Sequence, residues 1–212
     1  MHDFLIIYCT MPACDLLQTL FLDFLLSPLP SWCYNPGSSA CRKAGFRKRK
    51  GIKMSINSVK HYLKAFGRDG DVQEFSVSSA TVELAAQAVG TLPARIAKTL
   101  AFYSQDRTHA ILVVTAGDQK IDNSKFKHFF GMKARMLARE DVEAFTGHGV
   151  GGVCPFANPE GAQVYLDISM KRFPTVFPAA GSDNSAIQLT CSQLEQLSHS
   201  IDWIDVCKPM QE

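Results

Sequence analysis

The sequence predicts an α+β domain over residues 54–212, a mixed β-sheet with helices packed against it, preceded by an extension of different character. Two observations carry this reading. Helix-period and strand-period segments interleave irregularly, without the regular βα alternation of a doubly wound sheet. The two most strand-like runs, Ile96–Phe102 and Ala110–Thr115, are short, apolar and bounded by polar turns, which pairs them as a hairpin.

Each element has its own local reason. Ser55 can cap a helix whose apolar positions Val59, Tyr62, Leu63 and Phe66 recur at helical spacing, with Gly67 as its stop. Phe75-Ser-Val77 alternates like a short strand. Ser79 precedes Val82-Glu-Leu-Ala-Ala86 as the cap of a second helix that ends at Gly90. Pro93 opens a helical turn that leads into the first hairpin strand. Asn123–Phe130 reads as a helix carrying Lys125, Lys127 and His128, and Glu140–Phe145 as another short one. Val164–Ile168, Thr175–Phe177 and Ala186–Leu189 read as strands, and Ser192–Ser198 as a late helix.

Residues 1–53 differ from everything after them. Phe4–Leu29 is rich in Leu, Phe and Ile but is interrupted by Pro12, Asp15 and Asp23. Its basic residues, Arg42 to Lys50, follow the apolar part instead of preceding it, the reverse of a secretory signal. Two acids within the window argue against a membrane span. Met54-Ser-Ile-Asn-Ser-Val-Lys has the look of a natural start, so the expectation is that residues 1–53 are disordered or come from an upstream start codon, with a membrane-attached or targeting extension as the rival reading.

Composition excludes little. The formal charge is +2, too small to advertise a binder of long duplexes, although a local basic patch would serve a protein that grips one end of an RNA. The seven cysteines include no C-x-x-C pair and no zinc-finger spacing; four lie before residue 42, and the remaining three, Cys154, Cys191 and Cys207, read as thiols of a reducing, cytoplasmic compartment.

Two features can carry chemistry. Gly147-His-Gly-Val-Gly-Gly152 holds four glycines in six residues, and the exposed amides of such a loop can bind a carboxylate, a phosphate or a developing oxyanion; a tight surface turn is the plainer reading. Lys98 lies inside an apolar run, on the strand face of Leu100 and Phe102, which turns it inward; an ammonium there needs a partner or an anionic ligand unless it snorkels at an edge. Cys154 and His148 invite a thiol nucleophile, but nothing in the sequence supplies the cation or helix end that would activate one. No histidine spacing supports a metal site, and no cofactor motif is present. Lys120, Lys125, Lys127, Lys133 and Arg135 form either a solvated face or a place for RNA phosphates.

The features appear together in a specific order. Ser79-Ala-Thr-Val-Glu83, Ile96-Ala-Lys-Thr-Leu100, Ala116-Gly-Asp118, Asp122-Asn-Ser-Lys-Phe126, Thr146-Gly-His-Gly-Val-Gly-Gly-Val-Cys-Pro-Phe156 and Ala179-Ala-Gly-Ser-Asp-Asn-Ser-Ala-Ile187 follow one another across residues 54–208. This series resembles the YbaK/ProX (YbaK/EbsC) family of aminoacyl-tRNA deacylases, which includes the editing domains associated with prolyl-tRNA synthetases. The resemblance implies a barrel-like mixed sheet and hydrolysis of the ester between a wrong amino acid and the 3′-terminal adenosine of a tRNA. It implies no metal or organic cofactor, a mischarged tRNA as partner, an aminoacyl-tRNA synthetase as a further one, and no membrane. It assigns Lys98, Gly151 and Gly152 to catalysis, and Thr99, Val153, Cys154, Pro155, Phe156, Ala180 and Gly181 to the substrate pocket. Lys120, Lys125 and Lys127 are the expected tRNA contacts. Where relatives carry Ser-Gly-Gly and then an Asp, this chain has Ala179-Ala-Gly181 and Ala186, so those contacts do not transfer. That departure leaves the amino acid open and keeps a non-hydrolytic tRNA- or synthetase-binding module as the alternative.

Overall fold

The computed structural model describes residues 56–77, 79 and 81–210; the readings that fall on residues 1–53 and on Ser55 lie outside them. Five helices are described: α1 (Ile56–Lys64), α2 (Val82–Val89), α3 (Asn123–Phe130), α4 (Val142–Thr146) and α5 (Cys191–Ser198). Nine strands accompany them: β1 (Val72–Glu74), β2 (Ile96–Tyr103), β3 (Ala110–Ala116), β4 (Gln119–Ile121), β5 (Gln163–Asp167), β6 (Phe177–Pro178), β7 (Ser185–Ile187), β8 (Asp202–Ile204) and β9 (Cys207–Pro209).

The central sheet has the order β6-β2-β3-β5-β8 and is mixed: β2 and β3 run antiparallel, whereas β6, β5 and β8 each join a neighbour in parallel. Strands β1 and β7, and β4 and β9, form two smaller antiparallel pairs. Every residue of β3 is buried, because both faces of the sheet are covered. One face carries Ala97, Ala101, Leu112, Val114 and Leu166 into the main core with Val59 and Leu63 of α1 and Leu194 of α5. The other carries Phe102, Ile111 and Val113 against Phe126 of α3, with Ile204 and Val206. The mixed sheet with packed helices is the predicted fold class, and the β2–β3 hairpin is in place.

Several boundaries differ. The first strand is Val72–Glu74, not Phe75–Val77, because its pairing with β7 sets Val72 opposite Ile187; Phe75 lies beyond it and donates its N–H to Asn184 O. Ser79 does not cap α2. Thr81 does, accepting the N–H of Leu84, while Ser79 donates both its N–H and its hydroxyl to Asp183 O. Helix α4 begins two residues later than expected and β5 one residue earlier. The strand expected at Thr175–Phe177 is Phe177–Pro178, and the one expected at Ala186–Leu189 is Ser185–Ile187. Strands β4, β8 and β9 have no counterpart in the sequence reading; at three residues each they are too short to show alternation.

One junction fixes the site. At the end of β3, Gly117 meets the one-turn 3-10 helix Pro93–Arg95, so closely that a Cβ on Gly117 would lie 2.1 Å from Pro93 O and 2.6 Å from Val82 Cγ1 of α2. No side chain fits there, since the nearest atom belongs to backbone. A Gly117→Ala substitution is therefore expected to cost about 1–3 kcal/mol or more, as overpacking does, read as a lower urea midpoint with the slope unchanged.

Candidate active site

A cavity of about 430 Å³ opens beside β2, walled by α2, the glycine loop after α4 and the loop that precedes β7. Strand β2 gives it an unusual wall. Its outer edge pairs with β6 only at Ile96 and Ala97, and further on Ala101 O accepts from Leu137 N and Tyr103 N–H donates to Arg135 O. Outward-facing peptides therefore fall at odd positions, and among the described residues no strand lies beside Thr99. Its peptide is left to face the cavity. The Thr99 hydroxyl, on the same wall, is buried without a hydrogen-bond partner among the described residues.

Lys98 projects to the other side of β2, half-buried, and donates from Nζ to Gly117 O at 3.0 Å. Burial lowers its pKa below that of an ordinary lysine, an effect that the carboxylates of Asp118 and Glu83 offset in part. Asp118 is itself held by both terminal nitrogens of Arg172, at 2.7 and 3.0 Å. Among the described residues the ammonium thus rests on a single carbonyl, with two of its three donors left for an anion or carbonyl oxygen.

The glycine loop is braced from within. Gly147 closes α4 in a left-handed conformation, and Gly152 N–H donates back to Gly149 O at 3.0 Å. The amide of Gly152 is therefore engaged, while among the described residues those of Gly151 and Val153 bear no hydrogen bond. Gly152 is instead a point of close approach: a Cβ there would lie 3.0–3.1 Å from the Gly181 and Ser182 backbone. Underneath, His148 is fully buried with Nε2 3.0 Å from Phe156 O. Bonded to a carbonyl, Nε2 carries the proton and cannot take one from Cys154, whose sulfur lies 3.6 Å away. Burial pushes the Cys154 thiol up to about 12 and His148 below the usual imidazole range. The pair is a brace, not a nucleophile and its base.

The predicted site residues separate accordingly. Lys98, Thr99, Gly151 and Val153 line the cavity. Gly152 and Gly181 support its floor by backbone contact, and Cys154, Phe156 and Ala180 are wholly buried beside the main core. Pro155 faces a different cavity. Lys120, Lys125 and Lys127 do not line it, and Lys125 is engaged by Asp205 at 2.7 Å. The sequence reading missed Met136 and Leu137, which sit in an irregular segment, and the Ser182–Ser185 hydroxyl pair, joined at 2.7 Å. Among the described lining residues there is no carboxylate, imidazole or thiol, and no described group of three His, Cys, Asp or Glu is placed to hold a metal.

Residues 77–197 match the family model described as "Aminoacyl-tRNA editing domain". The chain belongs to this family. "Uncharacterized protein YwhH" of Bacillus subtilis is 53% identical over 155 residues, which is 73% of this chain and 98% of that one. "Putative Cys-tRNA(Pro)/Cys-tRNA(Cys) deacylase EbsC" of Enterococcus faecalis is 28% identical over 120 residues, 56% of this chain and 73% of its own. Among solved structures, "a putative trans-editing enzyme for prolyl tRNA synthetase" superposes with a TM-score of 0.65 at 28% identity, covering 72% of this chain and 96% of that one. No described helix of this editing domain is long and apolar enough to cross a membrane.

The brace has a direct chemical consequence. With its thiol fully buried and its pKa at about 12, Cys154 is expected to resist iodoacetamide in the folded protein at neutral pH, while half-buried Cys191 reacts before it. Mass-spectrometric mapping of the alkylated sites checks this, and early labelling of Cys154 would restore the thiol mechanism.

Proposed function

We propose that the protein hydrolyses the ester joining a small, wrongly attached amino acid to the 3′-terminal adenosine of a tRNA. The observation that carries this reading is the cavity itself, lined by Lys98, Thr99, Gly151 and Val153, residues that can bring an ammonium, an open strand edge and loop amides to one ligand. Those are the groups that ester hydrolysis needs when no carboxylate or imidazole stands among the described lining residues to activate a hydroxyl. Water attacks the ester carbonyl, negative charge develops on its oxygen, and the bond to the ribose oxygen breaks as that oxygen takes a proton. Preorganised amides and a cation stabilise the developing charge, and the ribose hydroxyl beside the ester is the substrate's own candidate for guiding the proton. Among residues of this chain, Lys98 holds the phosphate end or the oxyanion, Gly151 and Val153 donate to the carbonyl oxygen, and Thr99 holds the amino-acid end.

Membership of the editing-domain family supports deacylation, and the name of EbsC directs the first test to cysteinyl esters, with alanyl and seryl ones beside them. The walls from Ala85 and Val89 of α2 and from Ala186 leave room for a small side chain. For the rest of the tRNA, Lys127, Lys133, Arg135 and Arg139 form no ion pair among the described residues, and Arg135 adjoins Met136 at the cavity. They are better candidates for phosphate contact than Lys125. On this reading the protein works on the cytoplasmic tRNA pool, with a synthetase as a further partner.

Deacylation of a panel of mischarged tRNAs by the full chain tests the proposal. Lys98→Ala is expected to lower turnover by about 10²-fold or more, whereas Cys154→Ser stays within a few-fold. Absence of turnover on every charged tRNA, alongside measurable tRNA binding, would instead favour a module that holds tRNA without cleaving it; the loss of a polar group at Ala186 is the feature that speaks for it.

Thr99 permits a sharper test. Its hydroxyl has no partner, so Thr99→Val is expected to leave the unfolding midpoint unchanged or higher. If the hydroxyl binds substrate, kcat/KM on the preferred ester falls by about tenfold in the same variant.

A further inference from the structure

A second cavity, of about 690 Å³, lies on the far side of the glycine loop's continuation and shares no lining residue with the first. Val153 lines one and Pro155 the other, so a stretch of chain at most about 7 Å long separates the two walls. Its lining contains no Lys, Arg, Asp or Glu, which sets it apart from a phosphate or carboxylate site. What it offers is amide, hydroxyl and imidazole groups among prolines, alanines and a valine.

Three details give it a defined chemistry. The rings of Tyr62 and His199 stand at 85° with centroids 6.2 Å apart, and Phe66, which does not line the cavity, packs against both at 5.5 and 6.0 Å, so the two lining rings form a corner backed by a third. Tyr62 is fixed by its hydroxyl, which donates to Leu197 O at 2.8 Å. His199 ends α5 at φ 47°, a left-handed position that favours glycine, and Ala157, also in the lining, is held at φ 52°. Asn158 adds an unmet polar atom. Its Nδ2 donates to Cys154 O at 3.2 Å, which fixes the amide's orientation and leaves Oδ1 buried with no partner. A buried amide oxygen of this kind wants a hydrogen-bond donor.

We propose that this second cavity binds a nucleobase, an uncharged planar heterocycle with an amino edge, stacked in the Tyr62–His199 corner with that edge toward Asn158. Aromatic faces hold bases of either kind, and amide side chains read their edges. The proposal stands on this cavity alone and does not depend on ester hydrolysis in the other.

Titration of the isotopically labelled full chain with adenosine, cytidine and the trinucleotide CCA, followed by NMR, tests it. The expected result is saturable movement of the Asn158 side-chain amide and of the Ala157 and His199 signals with at least one nucleoside. In His199→Gly, which keeps the residue favoured at that helix end, affinity for the same nucleoside falls about fivefold or more. Lys98→Ala leaves these signals and their midpoint unchanged. Trinucleotide binding about tenfold tighter than nucleoside binding marks an RNA strand as the source of the base, and equal affinities mark a free nucleoside. No movement of those signals with any of the three probes at about 10 mM overturns the proposal, as does movement that His199→Gly leaves unaltered in midpoint.

Discussion

An ammonium half-buried among apolar side chains must be held, and in this fold the holder is the carbonyl of Gly117. That one hydrogen bond ties together elements far apart in sequence. Gly117 lies where it does because β3 ends against the Pro93 turn, and it is glycine because the Pro93 carbonyl and Val82 leave no volume for a side chain. The same turn delivers the chain from α2 into β2, so the helix that walls the cavity, the strand that carries Lys98 and the atom that receives its ammonium are set by a single contact. Burial lowers the lysine's proton affinity, and nearby carboxylates restore part of it. The cation is held in place without being neutralised by an ion pair, and it stays available to a ligand.

The glycine loop obeys a complementary logic. Its mobile-looking composition is restrained by the buried His148–Cys154–Phe156 cluster and by the contact of Gly152 with the Gly181 backbone. Loop and floor are therefore rigid where they meet, and the amides of Gly151 and Val153, unbonded among the described residues, sit on a fixed frame. Preorganisation of this kind is what makes backbone donors effective on developing charge, because no reorientation is needed when the charge appears.

The long elements were legible in the sequence because they satisfy one strong local rule each. Ile96–Tyr103 and Ala110–Ala116 are strand-length runs that are apolar apart from Lys98, Thr99 and Thr115, and α3 and α5 begin on side chains that cap them, Asp122 and Thr190. The three-residue strands β4, β8 and β9 obey no such rule; each exists because a partner strand reaches it. The site divides in the same way. Lys98 stood out as a charge within an apolar run, and the glycines by density. That Cys154, Phe156 and Ala180 are buried rather than facing substrate depends on how two loops stack, which no local pattern encodes. Met136 and Leu137 were invisible for the same reason: their place at the cavity comes from hydrogen bonds to Ala101 and Tyr103 made by the segment around them.

The interruption along the rim of β2 has a further bearing. A side chain that recognises a ligand can be changed by one mutation, whereas a main-chain N–H and C=O persist under every substitution except proline. Recognition through the Thr99 peptide would therefore let the walls around it drift, from larger to smaller residues, without loss of the anchoring contact. The gap is also only one outward-facing peptide wide, closed by Ala97 on one flank and Ala101 on the other. A stray β-segment needs several successive partners to dock, so the opening admits a small guest while offering no template for self-association.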